Sequence, residues 1–126
     1  MRVIALCCFG ERSSYILAKK IKELDENKNL YVDSLKHICK HYDEVKLKED
    51  IVLVYGSISI FNKYDIHKYH LENKLQCIWL CPQAQYRKDS IQEAFLPAHM
   101  EIYVVENTVF GRQDAKTLWN QMKLKI

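Results

Sequence analysis

From Val3 to Phe9 the chain is apolar or thiol-bearing at every position, and the run stops at Gly10-Glu11-Arg12-Ser13-Ser14. Arg2 to Cys8, a short run without alternation, predicts a central parallel strand covered on both faces. From about Ser13 the period changes. Leu17, Ile21 and Leu24 recur at helical spacing with Lys19, Lys20, Lys22 and Glu23 between them, which predicts an amphipathic helix capped by Ser13 or Ser14 and ended by Asp25-Glu26-Asn27. Between Leu30 and Asp50 the apolar residues Leu30, Leu35, Ile38 and Val45 are sparse among charges, so the segment reads as a lone, mostly solvated helix. Ile51 to Gly56 reads as a second strand, with Ser57 to Phe61 either extending it or turning away. Cys77 to Cys81 is a third, stopped by Pro82, which lacks the donor a central ladder needs. A helix carrying Ile91, Ala94 and Phe95 is expected from Lys88 to Leu96, where Pro97 ends it. Met100 to Val105 is the next strand. After a turn around Gly111, Ala115, Leu118, Trp119 and Met122 mark one buried helix face.

Strands alternating with helices imply an α/β fold with a parallel sheet. At 126 residues, 48% of them hydrophobic, the chain has enough apolar surface for one core without disulfides or metal, so residues 1–126 are expected to form a single domain. Nineteen Lys and Arg against sixteen Asp and Glu leave a formal charge of +3 with both signs interspersed. That balance favours neither nucleic acid nor direct insertion into a membrane. The five cysteines, Cys7, Cys8, Cys39, Cys77 and Cys81, are odd in number and irregularly spaced, which fits a reducing cytoplasm better than a secreted disulfide scaffold. The N-terminal apolar stretch breaks at Glu11-Arg12, well short of a signal sequence. Nothing approaches the roughly 20 apolar residues that span a bilayer, so any link to a membrane is expected to run through a partner protein.

The sharpest chemical candidate is Cys7. Thiolate is the reactive form of cysteine, and a strand end facing a helix N-terminus lowers a thiol's pKa and receives anions. In α/β sheets the carboxyl ends of the strands are where ligands bind. The alternative is that Cys7 and Cys8 are small buried hydrophobes. Small cysteine phosphatases also set a thiol between first strand and first helix, with five residues between Cys and Arg. Here four residues separate Cys7 from Arg12 and three separate Cys8 from it, so the arginine fork is out of register from either thiol. His37, Cys39 and His41 invite a metal reading, since histidines four apart share a helix face. Cys39 falls on another face, and a solvated helix with surface histidines is preferred. Cys77 and Cys81 share one side of a strand but stand roughly 13 Å apart, too far to bond each other. Tyr64, Tyr69, Trp79 and Tyr86 read as core and rim rather than a base-stacking platform.

Three segments resemble the cytoplasmic IIB component of the bacterial sugar phosphotransferase system, lactose/cellobiose (chitobiose) type. Val3 to Ser14 is similar to that family's apolar strand followed by Cys-Ser-Ala-Gly-Met-Ser-Thr-Ser, with Cys7 on the phosphorylated cysteine and Gly10 on its glycine. Leu80-Cys81-Pro82-Gln83-Ala84-Gln85-Tyr86 resembles an apolar strand, Gly-Pro-Gln and a following tyrosine. Glu101 to Asp114, with Val109-Phe110-Gly111, resembles the family's Tyr-Gly after the last strand. Order and spacing agree across the first quarter and last two fifths of the chain.

The resemblance implies an open four-stranded parallel sheet in the order 2-1-3-4 with helices on both faces, and an added helix near residues 29–50. It implies that Cys7 accepts a phosphoryl group from a phosphohistidine of a IIA protein and passes it to a disaccharide held by the membrane IIC permease, with no metal or other cofactor. Cys8, Phe9, Gly10, Glu11, Arg12, Ser13 and Ser14 would then form the phosphate-binding loop, their backbone N–H groups and the helix dipole holding phosphate oxygens. Pro82, Gln83 and Tyr86 would border the site. Departures from the family are Cys8 and Phe9 for small residues, Glu11-Arg12 for an apolar-polar pair, Cys81 for a glycine, and a longer middle. They motivate an alternative: a IIB-like regulatory domain without sugar flux. A small cysteine phosphatase is the third reading.

Overall fold

The computed structural model of the protein describes residues 2–45 and 49–126. Its elements are β1 (Arg2–Cys8), α1 (Glu11–Lys22), β2 (Tyr31–Ser34), α2 (Leu35–Val45), β3 (Ile51–Ser57), α3 (Lys63–Tyr69), α4 (Leu71–Lys74), β4 (Cys77–Leu80), α5 (Lys88–Phe95), β5 (Glu101–Val104), α6 (Asn107–Gly111) and α7 (Ala115–Lys123). The strands form one five-stranded sheet in the order β2-β3-β1-β4-β5, and every neighbouring pair is parallel. The four strands expected from the sequence keep their expected order. The fifth, β2, is added at the edge, outside β3.

Alternation along β1 divides the interior in two. Val3, Ala5 and Cys7 face a layer built on Leu35, Ile38, Ile66, Leu71, Ile91 and Phe95, which are residues of α2, α3, α4 and α5. Ile4 and Leu6 face the opposite layer, where Leu17, Ala18 and Ile21 of α1 meet Leu118, Trp119 and Met122 of α7. Helices therefore cover both faces, and β1 is buried from Val3 onward, as its unbroken apolar run requires.

The middle of the chain departs from the lone helix expected there. Residues 31–34 are a strand hydrogen-bonded to β3, and α2 follows at once; residues 46–48 of that expected helix lie outside the described residues. Leu35, Ile38, Cys39 and Val45 are buried, so α2 is a packed helix rather than a solvated one. Its approach to the sheet is close at Gly56: a Cβ there would lie 2.9 Å from Leu35 Cβ. The glycine that closes the second strand in the sequence thus makes room for α2. Past Ser57 the chain turns away through a 3-10 turn at Ile58–Ile60. Two short helices that no apolar periodicity had marked, α3 and α4, meet at His70 with φ 52. They bury Ile66 and Leu71.

No helix among the described residues is long and apolar enough to cross a membrane.

Candidate functional site

The connections leaving β1 and β4 run in opposite directions across the sheet, β1 toward β2 and β4 toward β5. The crevice where such connections diverge, at the carboxyl ends of the strands, is where ligands of open α/β sheets bind. Cys7 pairs with Leu80 in the β1–β4 register, so the next residues, Cys8 at the end of β1 and Cys81 just past β4, lie side by side at that crevice. They are joined by a disulfide, with Cα atoms 5.2 Å apart. The Phe9 ring, next in the chain after Cys8, meets the Tyr86 ring at 5.8 Å, both well exposed. Two of the three segments singled out in the sequence, 73 residues apart at their cysteines, therefore converge on one spot.

The connection from β1 to α1 is only Phe9 and Gly10. Ser57 Oγ donates to the Phe9 carbonyl at 2.6 Å, fixing this short link against the end of β3. Gly10 is the N-cap residue in extended conformation, and no side chain caps the helix. The first-turn N–H groups of α1 have no partner within the helix, which leaves them available to an anion. Glu11 sits in that first turn, where a carboxylate already complements the dipole. Arg12 and Ser13 are exposed, and so is Gln83, whereas Pro82 is buried.

Three expectations are corrected here. Cys7 is not at the mouth of the loop. It is fully buried in the α2-side core, and burial pushes its thiol far above the ordinary value rather than below it. The helix N-terminus cannot offset this, because the side chain points into apolar packing. Second, Ser14 is not a cap or a phosphate ligand: it is buried in the fourth position of α1, its Oγ shared between the carbonyls of Glu11 at 2.9 Å and Gly56 at 3.2 Å. Ser13 likewise lies inside α1 rather than at its cap. Third, two of the cysteines are bonded and three are free, namely Cys7, Cys39 and Cys77. Burial pushes the thiols of Cys39 and Cys77 up to about 11, so neither supplies thiolate at neutral pH.

Cys81, Gly56 and Ser57 are the site residues that sequence reasoning did not assign a role. The pairing of Cys81 with Cys8 needs the adjacency of β1 and β4 and their register, neither of which is a local signal. A cleft of about 420 Å³ opens between α2 and the end of β3, its walls including Glu11, Lys36, Lys40, Ser57, Ser59 and Asp65. Neither Cys8 nor Cys81 lines it. The cysteine pair lies outside that cleft and is buried at the carboxyl ends of the two strands, Cys8 at 5% exposure and Cys81 at 0%.

No protein-family model matches the chain, and no curated protein does. Among solved structures, the chain is similar to the solution NMR structure of a de novo designed protein of P-loop NTPase fold, at 18% identity and a TM-score of 0.50, over 99% of this chain and 96% of that one. The likeness extends to the fold alone. The chain's glycines are Gly10, Gly56 and Gly111, so the glycine-rich run of a nucleotide-binding loop is missing between β1 and α1. What the comparison supports is an open α/β sheet with helices on both sides, the class the alternating strand and helix pattern predicts.

Proposed function

We propose that the protein is a phosphocarrier of the IIB kind, with the acceptor thiol on Cys8. The observation that carries this reading is the convergence at the carboxyl end of the sheet of the β1–α1 link and the Cys81–Tyr86 turn, two of the segments whose residues resemble that family. The Cys8 thiolate attacks the phosphorus of a phosphohistidine presented by a IIA-type protein. The S–P bond forms as the P–N bond breaks in line, and the imidazole leaves with a proton. A sugar hydroxyl held by a IIC-type permease then attacks phosphorus, returns the thiolate and loses its proton to solvent or a base of the permease. First-turn amides of α1 hold the phosphate oxygens, and Arg12 offsets Glu11. The exposed Phe9 and Tyr86 rings next to the cysteine pair offer a surface to a donor carried on another protein. For a small cysteine phosphatase, Arg12 is out of register from either thiol.

The disulfide must first be opened by a dithiol reductant supplying two electrons and two protons, since a bonded sulfur cannot accept phosphoryl. This requirement favours a second reading, a IIB-like regulatory domain whose thiol is held back and which carries no sugar flux. Intact-protein mass spectrometry separates the two after incubation with phosphoenolpyruvate, the general phosphotransferase proteins, a panel of IIA proteins and reductant. One added phosphate is expected on wild type and Cys7→Ser and none on Cys8→Ser. Loss in Cys7→Ser with retention in Cys8→Ser returns the acceptor role to Cys7 and overturns the Cys8 assignment. No phosphate from any IIA onto the folded, reduced protein overturns the carrier reading in favour of the regulatory one.

A further inference from the structure

Away from the cysteine pair, α2 carries a second constellation. His37 and His41 stand one helical turn apart with their rings stacked, centroids 4.6 Å apart and planes 25° from parallel. His41 Nδ1 lies 3.5 Å from Glu44 Oε2. One ligand atom from each of His37, His41 and Glu44 falls within 4.8 Å of the other two. From the end of β2, Asp33 reaches back to His37: its Oδ2 holds His37 Nδ1, while its Oδ1 accepts from the Ser34 backbone N–H at 2.7 Å.

We infer that these four residues form a site for a borderline divalent cation, zinc first, with His37, His41 and Glu44 as direct ligands and Asp33 as the group that orients His37. Two histidines and a carboxylate are a donor set zinc accepts, with solvent in the fourth position. Ligand atoms on a tetrahedral zinc stand about 3.3 Å apart, so the observed spread closes by small side-chain rotations. The Asp33 carboxylate on Nδ1 leaves the other ring nitrogen of His37 to the metal. A carboxylate behind a ligating histidine fixes its tautomer and raises its basicity, and here that carboxylate is largely shielded, at 16% side-chain exposure. The histidines are a little under half exposed and Glu44 more so, which gives the ion a path in. Cys39, on another face of the helix as its spacing predicts, packs into the α2-side core. At His41 the backbone leaves helical geometry, with φ −128 and ψ 32. A metal shared by His37, His41 and Glu44 would span that kink and tie the two parts of α2 together.

Titration of the full-length reduced protein with Zn²⁺ against a chromophoric chelator, and with Co²⁺ followed by absorption, tests the site. One-to-one saturable binding is expected, with Mg²⁺ in excess failing to compete because it prefers an all-oxygen shell. Replacing His37 or His41 by Ala should abolish it. Asp33→Asn, which touches no metal, should weaken it by about 10- to 100-fold, and a rise in melting temperature on adding Zn²⁺ should disappear in the histidine variants. Saturable binding that survives in His37→Ala/His41→Ala, or a thiolate-to-cobalt charge-transfer band, would place the ion on the cysteines and overturn the proposal. So would the lack of any saturable binding in wild type.

Discussion

Cys7 and Cys8 are adjacent in the chain, yet the two-residue repeat of a strand sends their side chains to opposite fates. Cys7 falls in phase with Val3 and Ala5 and joins the α2-side core. Cys8 is the last residue of β1 and reaches the crevice beside Cys81, still only 5% exposed. A thiol buried as Cys7 is keeps its proton, because desolvation penalises the thiolate. This gives a direct chemical test. With the disulfide reduced, iodoacetamide at pH 8 followed by peptide mass spectrometry should modify Cys8 well before Cys7, with Cys7 labelled only on unfolding. Equal labelling in the native protein would mean that the core opens at Cys7, and the family's own register for the acceptor would then stand. The loop between β1 and α1 was legible in the sequence, from an apolar run breaking into glycine, charge and serine. Which of its two thiols joins the α2-side core was not, because that depends on which face of β1 the later helices cover. α1 starts at Glu11, two residues earlier than Ser13, and this shortens the link until Ser14 becomes part of the helix's buried face.

At the scale of elements, the long runs were readable and the short ones were decided by their neighbours. β1, β3, β4, α5 and α7 follow their apolar patterns to within a residue or two at each end. β2 has four residues, all half-buried, and pairs with β3 alone. Asp33 within it breaks the apolar pattern, and only the exposed edge of β3 makes the segment a strand, an instance of pairing overriding local propensity. α2 is different, for its signal was present: Leu35, Ile38, Cys39 and Val45 recur at helical spacing, but they were too few among charges to reveal that the helix packs. The contact that shows how tightly it packs is Gly56 against Leu35. Because the atom met is Leu35 Cβ, which cannot swing aside, Gly56→Ala forces α2 away from β3. Overpacking of this kind costs about 1–3 kcal/mol, and a lower denaturant midpoint with an unchanged slope is the expected result. Leu35→Ala combined with Gly56→Ala should not restore stability, because the clash is with Cβ, which alanine retains. Leu35→Gly in that background should relieve the clash itself, at the cost of the buried leucine.

For the whole molecule, the Cys8–Cys81 bond ties the central strand β1 to β4 across 73 residues that include β2, β3 and four of the helices. A cross-link closing so long a loop restricts the unfolded chain far more than the folded one, and removing a bond of this class costs about 2–4 kcal/mol. On the carrier reading, the same bond occupies the acceptor sulfur. The molecule therefore has two forms with opposed properties: a cross-linked one that is more stable and cannot be phosphorylated, and a dithiol one that is less stable and can. Denaturant unfolding with and without dithiothreitol measures the first half of that opposition. The wild-type midpoint should fall on reduction, while Cys81→Ser, which has no bond to lose, should sit near the reduced wild type under both conditions. Phosphorylation measures the second half, since Cys81→Ser should accept phosphoryl without reductant and wild type should need it. If reduction leaves the wild-type midpoint where it was, the bond is not formed in solution. Cys8 is then a free thiol from the start, and the need for reductant in phosphoryl transfer must vanish with it.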